Sequence, residues 1–248
     1  MCGIAGYLTK ENGEGNRIAE MLKAIRHRGP DDTSEYHHNE YHVGMCRLTI
    51  NDLNNGMQPL FNNAYSTVLM YNGEIYNSPE LRRNLEAKGY KFRTKSDGEV
   101  VCHLYDDIGE ESFSKLDGMF AISLWDKHKS ILYLIRDQAG EKPLYYSKGH
   151  QNYSLIFASE IKAIRKFKEI DSGIDMQSLW DFPTFSWIPE PNTIYNNIKA
   201  LKRGHYLKFD KGQSIIRRFI NNKDRAIYIP MNDCEAISET RRIVEESV

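Results

Sequence analysis

Four cysteines in 248 residues, none of them in a C-x-x-C pair, exclude a zinc framework and a dense disulfide scaffold. Cys2, Cys46, Cys102 and Cys234 are scattered, and free thiols in a cytosolic protein are the simplest expectation. No run approaches the roughly 18 apolar residues that a membrane span needs. The N-terminus lacks a basic flank before an apolar core, so no secretory signal is expected. Charge of one sign is missing as well. With 33 basic and 34 acidic residues the net charge is −1, and a nucleic-acid partner would need a basic footprint. There is no G-x-x-x-x-G-K-[ST] loop, no G-x-G-x-x-G after a strand and no G-x-S-x-G elbow. His38 and His42 stand four apart, but without H-E-x-x-H or a third ligand they predict no metal site. What remains is an ordinary globular composition, 40% hydrophobic and 27% charged, with length for one large or two modest domains.

Periodicity divides the chain. Residues 3–8 read as a first strand, and 16–26 as a helix with Ile18, Met21, Leu22 and Ile25 on one face and Asn16 as N-cap. HRGPDD is a loop by composition. Residues 43–50 and 66–71 read as strands. A second helix spans 79–88, with Ser78 as N-cap, Pro79 at its first position and Gly89 as its stop. A third spans 98–108, where Ser96 and Glu99 fit a capping box. Four short apolar runs follow, at 119–125, 130–136, 143–147 and 154–159, two of the pairs separated by DKHK and KGHQN. Ile131, Tyr133 and Ile135 alternate with Leu132 and Leu134, so this strand is covered on both faces. A layered α+β fold follows, with sheets buried between other layers and helices outside. From Asp181 the chain reads as loop, then as two strands around HYLKFD and SIIRRFI, then as an amphipathic helix over 233–248.

Four places carry chemistry. MCGIAGYL is apolar where termini are usually polar and frayed. Cys2 is either a small buried residue at a strand start or, once Met1 is removed, a thiol and a free α-amine on one residue. An α-amine titrates at about 8 and a thiol at about 8.5, so the amine can take the thiol proton, and nucleophile and base coincide. Asn72-Gly73 between apolar residues is a hairpin signal of type I′. It is equally a pair of neutral donors, a side-chain amide and a bared backbone N–H, suited to an oxyanion. Arg47 in CRLTIN is either half of a strand-end salt bridge or a fork for a carboxylate. Asp97 in SDGE either complements a helix N-terminus or accepts from an ammonium group. Together these groups describe an amino acid with a side-chain amide. Glutamine fits, and asparagine fits the same chemistry.

The chain also resembles a known family. MCGIAG, RHRGPDD (26–32), RLTI (47–50), YNGEIYN (71–77), SDGE (96–99), LDGMFAISLWD (116–126), RDQAGEKPLYY (136–146), FASEIKAI (157–164), IPEPNTIY (188–195) and GHYL (204–207) occur in family order. Over residues 1–210 the chain resembles the glutaminase domain of the glutamine-hydrolysing asparagine synthetases, class II amidotransferases of the N-terminal-nucleophile hydrolase type. The resemblance implies a four-layer αββα sandwich of two mainly antiparallel sheets between helical layers. It implies Cys2 as nucleophile and Asn72 and Gly73 as oxyanion hole. It implies Arg47, Glu74 and Asp97 as glutamine-binding residues, with Leu48, Ile50 and Asn51 lining the pocket. It divides the chain into a glutaminase domain over 2–210 and, over 211–248, a linker and the first helix of an ATP-dependent synthetase domain.

No cofactor is expected within the chain; ATP and Mg²⁺ belong to the synthetase domain. L-Glutamine and that synthetase domain are the expected partners, with room for a homodimer, and neither nucleic acid nor membrane. Aspartate is the first expectation for the acceptor and a sugar acid of polysaccharide assembly the second; a non-catalytic glutamine sensor is the rival from another class. The chain departs from the family pattern at Ala139, Glu141, Lys202 and Arg203, all outside the hydrolytic constellation.

Overall fold

A strand that is apolar on both faces needs a cover on each side, and the arrangement of the chain meets that need twice. The computed structural model describes residues 2–10, 17–49, 57–171, 173–219 and 230–247. In chain order the elements are β1 (Gly3–Thr9), α1 (Ile18–Ile25), β2 (Asp32–His38), β3 (Tyr41–Arg47), β4 (Leu60–Phe61) and β5 (Thr67–Ile75). Next come α2 (Ser78–Ala87), α3 (Glu99–Ile108), β6 (Gly118–Asp126), β7 (Ile131–Arg136), β8 (Tyr145–Lys148) and β9 (Tyr153–Ala158). The last third holds α4 (Ile161–Ile164), α5 (Met176–Phe185), β10 (Lys199–Ala200), β11 (His205–Asp210), β12 (Gln213–Arg218) and α6 (Asp233–Glu246).

The strands form two six-stranded sheets, ordered β10-β8-β9-β1-β3-β2 and β12-β11-β7-β6-β5-β4. Every recorded pairing is antiparallel. Ile4, Leu8, Val43 and Met45 of the first sheet meet Val68, Met70, Trp125, Leu132 and Leu134 of the second in one buried cluster. The outer face of the first sheet, with Ala5, Tyr7 and Cys46, buries Ile18, Met21, Leu22 and Ile25 of α1 and Ala163 and Ile164 of α4. The outer face of the second, with Leu69, Tyr71, Tyr133 and Ile135, buries Leu85 of α2 and Val100, Val101 and Leu104 of α3. The result is the expected αββα sandwich.

Local differences have physical causes. Asn72-Gly73 is not a turn; it lies in the nine-residue β5, opposite Ala121 and Phe120 of β6. Pairing on a long apolar strand overrides the local turn preference. β2, which lies in a stretch given no assignment from sequence beyond the loop HRGPDD, pairs with β3 along seven residues. It is an edge strand of polar residues, so it carries no apolar period. The capping box at Ser96 does not form, and Gly98 occupies the N-cap of α3 without a side-chain cap bond. The N-cap of α2 is Asn77, not Ser78, and that of α1 is Arg17; Asn16 lies outside the described residues. α5 forms where a loop was expected to begin, with the Asp175 side chain accepting from Ser178 N–H at 3.0 Å and Pro183 inside. It leaves Met176, Trp180, Phe182 and Phe185 exposed. β12 pairs with β11, so the second sheet continues past residue 210.

One buried carboxylate organises the end of β7. Asp137 is fully buried. Its Oδ1 accepts from the N–H groups of Gly140 (2.6 Å) and Glu141 (3.0 Å), and its Oδ2 from Lys142 (3.0 Å) and Phe120 (3.3 Å). Beside it, Arg136 donates to the carbonyls of Lys142, Leu201 and Gly140 and to Glu190 Oε1 at 2.6 Å. Asp137→Ala strands several buried donors, each costing about 1–3 kcal/mol. It should lower stability by about 3–5 kcal/mol and the midpoint of thermal unfolding by roughly 10 °C. A midpoint within 2–3 °C of wild type in a calorimetric scan would mean that water replaces the carboxylate.

Candidate active site

Strand parity assembles the site. In β1, Ile4 and Leu8 point between the sheets, and Cys2, two residues before Ile4, is half-buried against that same cluster. In β3, Val43 and Met45 point inward, which turns Arg47, 8% exposed, to the same side. In β5, Val68 and Met70 point inward, so Asn72 and Glu74 do too. Two strands of one sheet and one strand of the other therefore direct Cys2, Arg47, Asn72 and Glu74 into the layer between them.

Cys2 is held on two sides. Its Sγ faces Leu48, accepting from the Leu48 N–H at 3.3 Å and lying 3.5 Å from its carbonyl. An N–H aimed at sulfur is the contact that a thiolate uses. Its carbonyl accepts from Arg28 Nε at 3.0 Å, and Arg28 Nη1 in turn reaches Glu160 Oε1 at 3.0 Å. RHRGPDD and FASEIKAI, distant in sequence, thus meet behind Cys2. The roles of Arg28 and Glu160 escaped the sequence reading because 132 residues separate them.

Asn72 is 2% exposed, and among the described residues its Nδ2 has no hydrogen-bond partner. An orphaned buried donor is uncommon and calls for an explanation. Gly73 supplies a second donor. Phe120, opposite Gly73, uses its N–H and C=O on Asp137, so the N–H of Gly73 points to the other edge of β5. On that edge the N–H of Tyr71 meets Gln58 Oε1 at 2.7 Å and that of Ile75 meets Asp97 Oδ2 at 2.6 Å. Between these two, the Gly73 N–H meets no acceptor recorded among the described residues. A side chain is excluded here, because a Cβ on Gly73 would stand 2.0 Å from the carbonyl oxygen of Met119.

Asp97 stands at the same edge, accepting from Ile75 N–H and from the Tyr71 hydroxyl. Its loop is braced from two directions. Arg82 donates to the carbonyls of Thr94 and Ser96, each at 3.0 Å. Glu99, 2% exposed, accepts from Arg93 N–H (2.8 Å), Thr94 N–H (2.7 Å) and Thr94 Oγ1 (2.6 Å), with His103 Nε2 at 3.4 Å. Burial opposes the charge on Glu99, but the bonds from His103, Thr94 and Arg93 outweigh it and hold the carboxyl at about 2 instead of 4.5. Ile50 and Asn51, expected at the pocket, lie outside the described residues. His42 pairs with His37 (Nδ1 to Nδ1, 2.8 Å), not with His38. Among the described residues no group of three or more His, Cys, Asp or Glu is placed to hold a metal ion, and no helix is long and apolar enough to cross a membrane.

The family model described as "Glutamine amidotransferase domain" matches residues 1–220. The chain belongs to the class II glutamine amidotransferases. Among curated relatives of this amidotransferase domain is asparagine synthetase [glutamine-hydrolyzing] 1 of Bacillus subtilis, 40% identical over 209 residues, 82% of this chain and 33% of the relative. A putative asparagine synthetase [glutamine-hydrolyzing] 2 of Methanocaldococcus jannaschii is 33% identical over 271 residues, 99% of this chain and 50% of the relative. The domain thus spans a third to a half of the length of these relatives. In fold it is similar to the glutamine phosphoribosylpyrophosphate amidotransferase of B. subtilis, with a TM-score of 0.61 at 19% identity, covering 89% of this chain and 49% of that one.

The lowered pKa of Glu99 has a definite sign. Its contribution to stability is complete above pH 4.5 and is lost as pH falls from 4.5 towards 2. Glu99→Gln should be less stable than wild type by about 3 kcal/mol at pH 7, and the gap should close over that window. Urea titrations at several pH values measure it; a gap independent of pH would show that Glu99 is not ionised in the folded protein.

Proposed function

We propose that this domain hydrolyses L-glutamine to glutamate and ammonia. The observation that carries the reading is the buried, unpartnered Nδ2 of Asn72, directed into the layer that also receives the half-buried thiol of Cys2. A donor left without an acceptor in the resting site is available to a negative oxygen that exists only during reaction.

The steps follow from the groups. Removal of Met1 turns the Cys2 nitrogen into an α-amine, which takes the thiol proton. The thiolate attacks the side-chain amide carbon, and the carbonyl electrons move to oxygen, where Asn72 Nδ2 and the Gly73 N–H receive the charge. The protonated α-amine returns its proton to the departing nitrogen, the C–N bond breaks and ammonia leaves a thioester. Water, deprotonated by the same amine, attacks the thioester, and the C–S bond breaks to give glutamate and the free thiol. Arg47 takes the α-carboxylate, Asp97 the α-ammonium, and Glu74 and the Leu48 backbone complete the pocket. Support comes from the placement of these residues and from membership of the amidotransferase family. In the longer architecture of the relatives, ammonia would pass to a carboxylate activated by ATP and Mg²⁺, with aspartate as acceptor, following their names.

Two measurements test the reading. Intact-mass analysis of active protein should show a chain beginning at Cys2; activity with Met1 retained would remove the α-amine from the mechanism. Glutamate release, assayed without ATP, should vanish in Cys2→Ala while glutamine still binds. In Asn72→Ala, kcat should fall by about 10²–10³-fold with little change in KM. Equal loss of kcat and of affinity would assign Asn72 to ground-state recognition.

A further inference from the structure

Tyr71 immediately precedes the Asn72–Gly73 pair and is 5% exposed. By strand alternation its side chain leaves β5 on the face opposite Asn72, in the cluster shared with α3. Three contacts fix it. The hydroxyl donates a short hydrogen bond to Asp97 Oδ1. The ring lies against Gly98, where an added Cβ would come within 2.2 Å of Tyr71 Cε1. The backbone N–H and C=O are both taken by the Gln58 side-chain amide, at 2.7 and 3.0 Å. Gln58 thereby closes the edge of β5 just beyond the end of the short β4 ladder. The second oxygen of Asp97 accepts from Ile75 N–H at 2.6 Å. Asp97 is thus gripped by residues 71 and 75 of the same strand, two positions either side of Gly73.

We propose that Tyr71 is a positioning residue that sets the Asp97 carboxylate at a fixed separation from the Asn72–Gly73 donors, so that an ammonium and an amide carbonyl are recognised together only at the length of glutamine. This rests on the reading of Asp97 as ammonium acceptor. A carboxylate has about four acceptor positions. Tyr71 and Ile75 occupy two, and those that remain are aimed by the grip. An Asp side chain held at one oxygen only could still swing about its side-chain bonds, and glutamine and asparagine differ by a single methylene. Such a difference is discriminated by about 10–200-fold when the groups are held rigidly. The hydroxyl stays a donor, since burial and the neighbouring Asp97 charge raise its pKa well above that of ordinary tyrosine. Gly98 fits the same device: any side chain there would push the ring away from the carboxylate.

The experiment compares wild type, Tyr71→Phe and Gly98→Ala. Substrates are glutamine and asparagine; glutaramate, which is glutamine without its α-amine, is the competing ligand. Tyr71→Phe keeps the ring and the packing. It should raise KM for glutamine about 10-fold, as for a lost bond to a charged group, with kcat within about 3-fold. The preference for glutamine over asparagine should narrow, and the inhibition constant of glutaramate should not move. Gly98→Ala should act in the same direction. A merely structural Tyr71 would lower the unfolding midpoint and leave KM unchanged, or would weaken glutamine and glutaramate equally; either result overturns the proposal. If wild type neither hydrolyses nor binds glutamine, the glutaminase reading itself falls and takes the proposal with it.

Discussion

Face-to-face burial of the two sheets is the constraint on which the rest depends. The inner cluster fixes the register of β1, β3 and β5, because a slip of one residue would turn every inward apolar side chain outward. The same register decides where Cys2, Arg47, Asn72 and Glu74 point. The site is therefore not added to the fold at its loops. It is the continuation of the core pattern to the place where apolar residues give way to polar ones on three strands. Positions 70 and 72 of β5 face one space; the first is a core methionine and the second a buried amide whose Nδ2 has no partner among the described residues.

A second layer of constraint lies within the second sheet. Gly73 and Gly118 both stand where the backbones of β5 and β6 crowd, with a Cβ reaching within about 2 Å of a carbonyl oxygen in each case. Phe120 is tied to Asp137, and Asp137 gathers the loop after β7. The RDQAGEK motif thus bears on the site through the strand between them. Arg28 and Glu160 do the corresponding work on the first sheet, behind Cys2.

Much of this was legible in the sequence wherever burial leaves a period. The runs at 119–125 and 130–136 became β6 and β7, and the alternation of Ile131, Tyr133 and Ile135 with Leu132 and Leu134 correctly separates two different clusters. Where burial leaves none, reading failed. β2 is an edge strand in which Tyr36 alone packs on the inner cluster and the other side chains are polar or charged. α5 exposes its apolar residues and contains a proline, so neither period nor composition marks it as helix. The Asn-Gly signal at 72–73 is local, and a strand paired along nine residues outweighs it. For the site, residue chemistry suggested a clamp for an amino acid with an amide, and family resemblance supplied the list of positions. What neither could supply were contacts across long separations: Arg28 on Cys2, Gln58 on Tyr71, Tyr71 on Asp97.

The three tryptophans sit in contrasting surroundings. Trp125 is 1% exposed and stacked on Tyr41 at 5.1 Å between the sheets, whereas Trp180 and Trp187 are 69% and 55% exposed. Trp125 belongs to β6, the strand that backs Asn72 and Gly73. The chain therefore carries its own optical contrast. A water-soluble quencher would extinguish the two surface indoles and leave the blue-shifted emission of Trp125, a reporter of the inter-sheet layer that needs no added label.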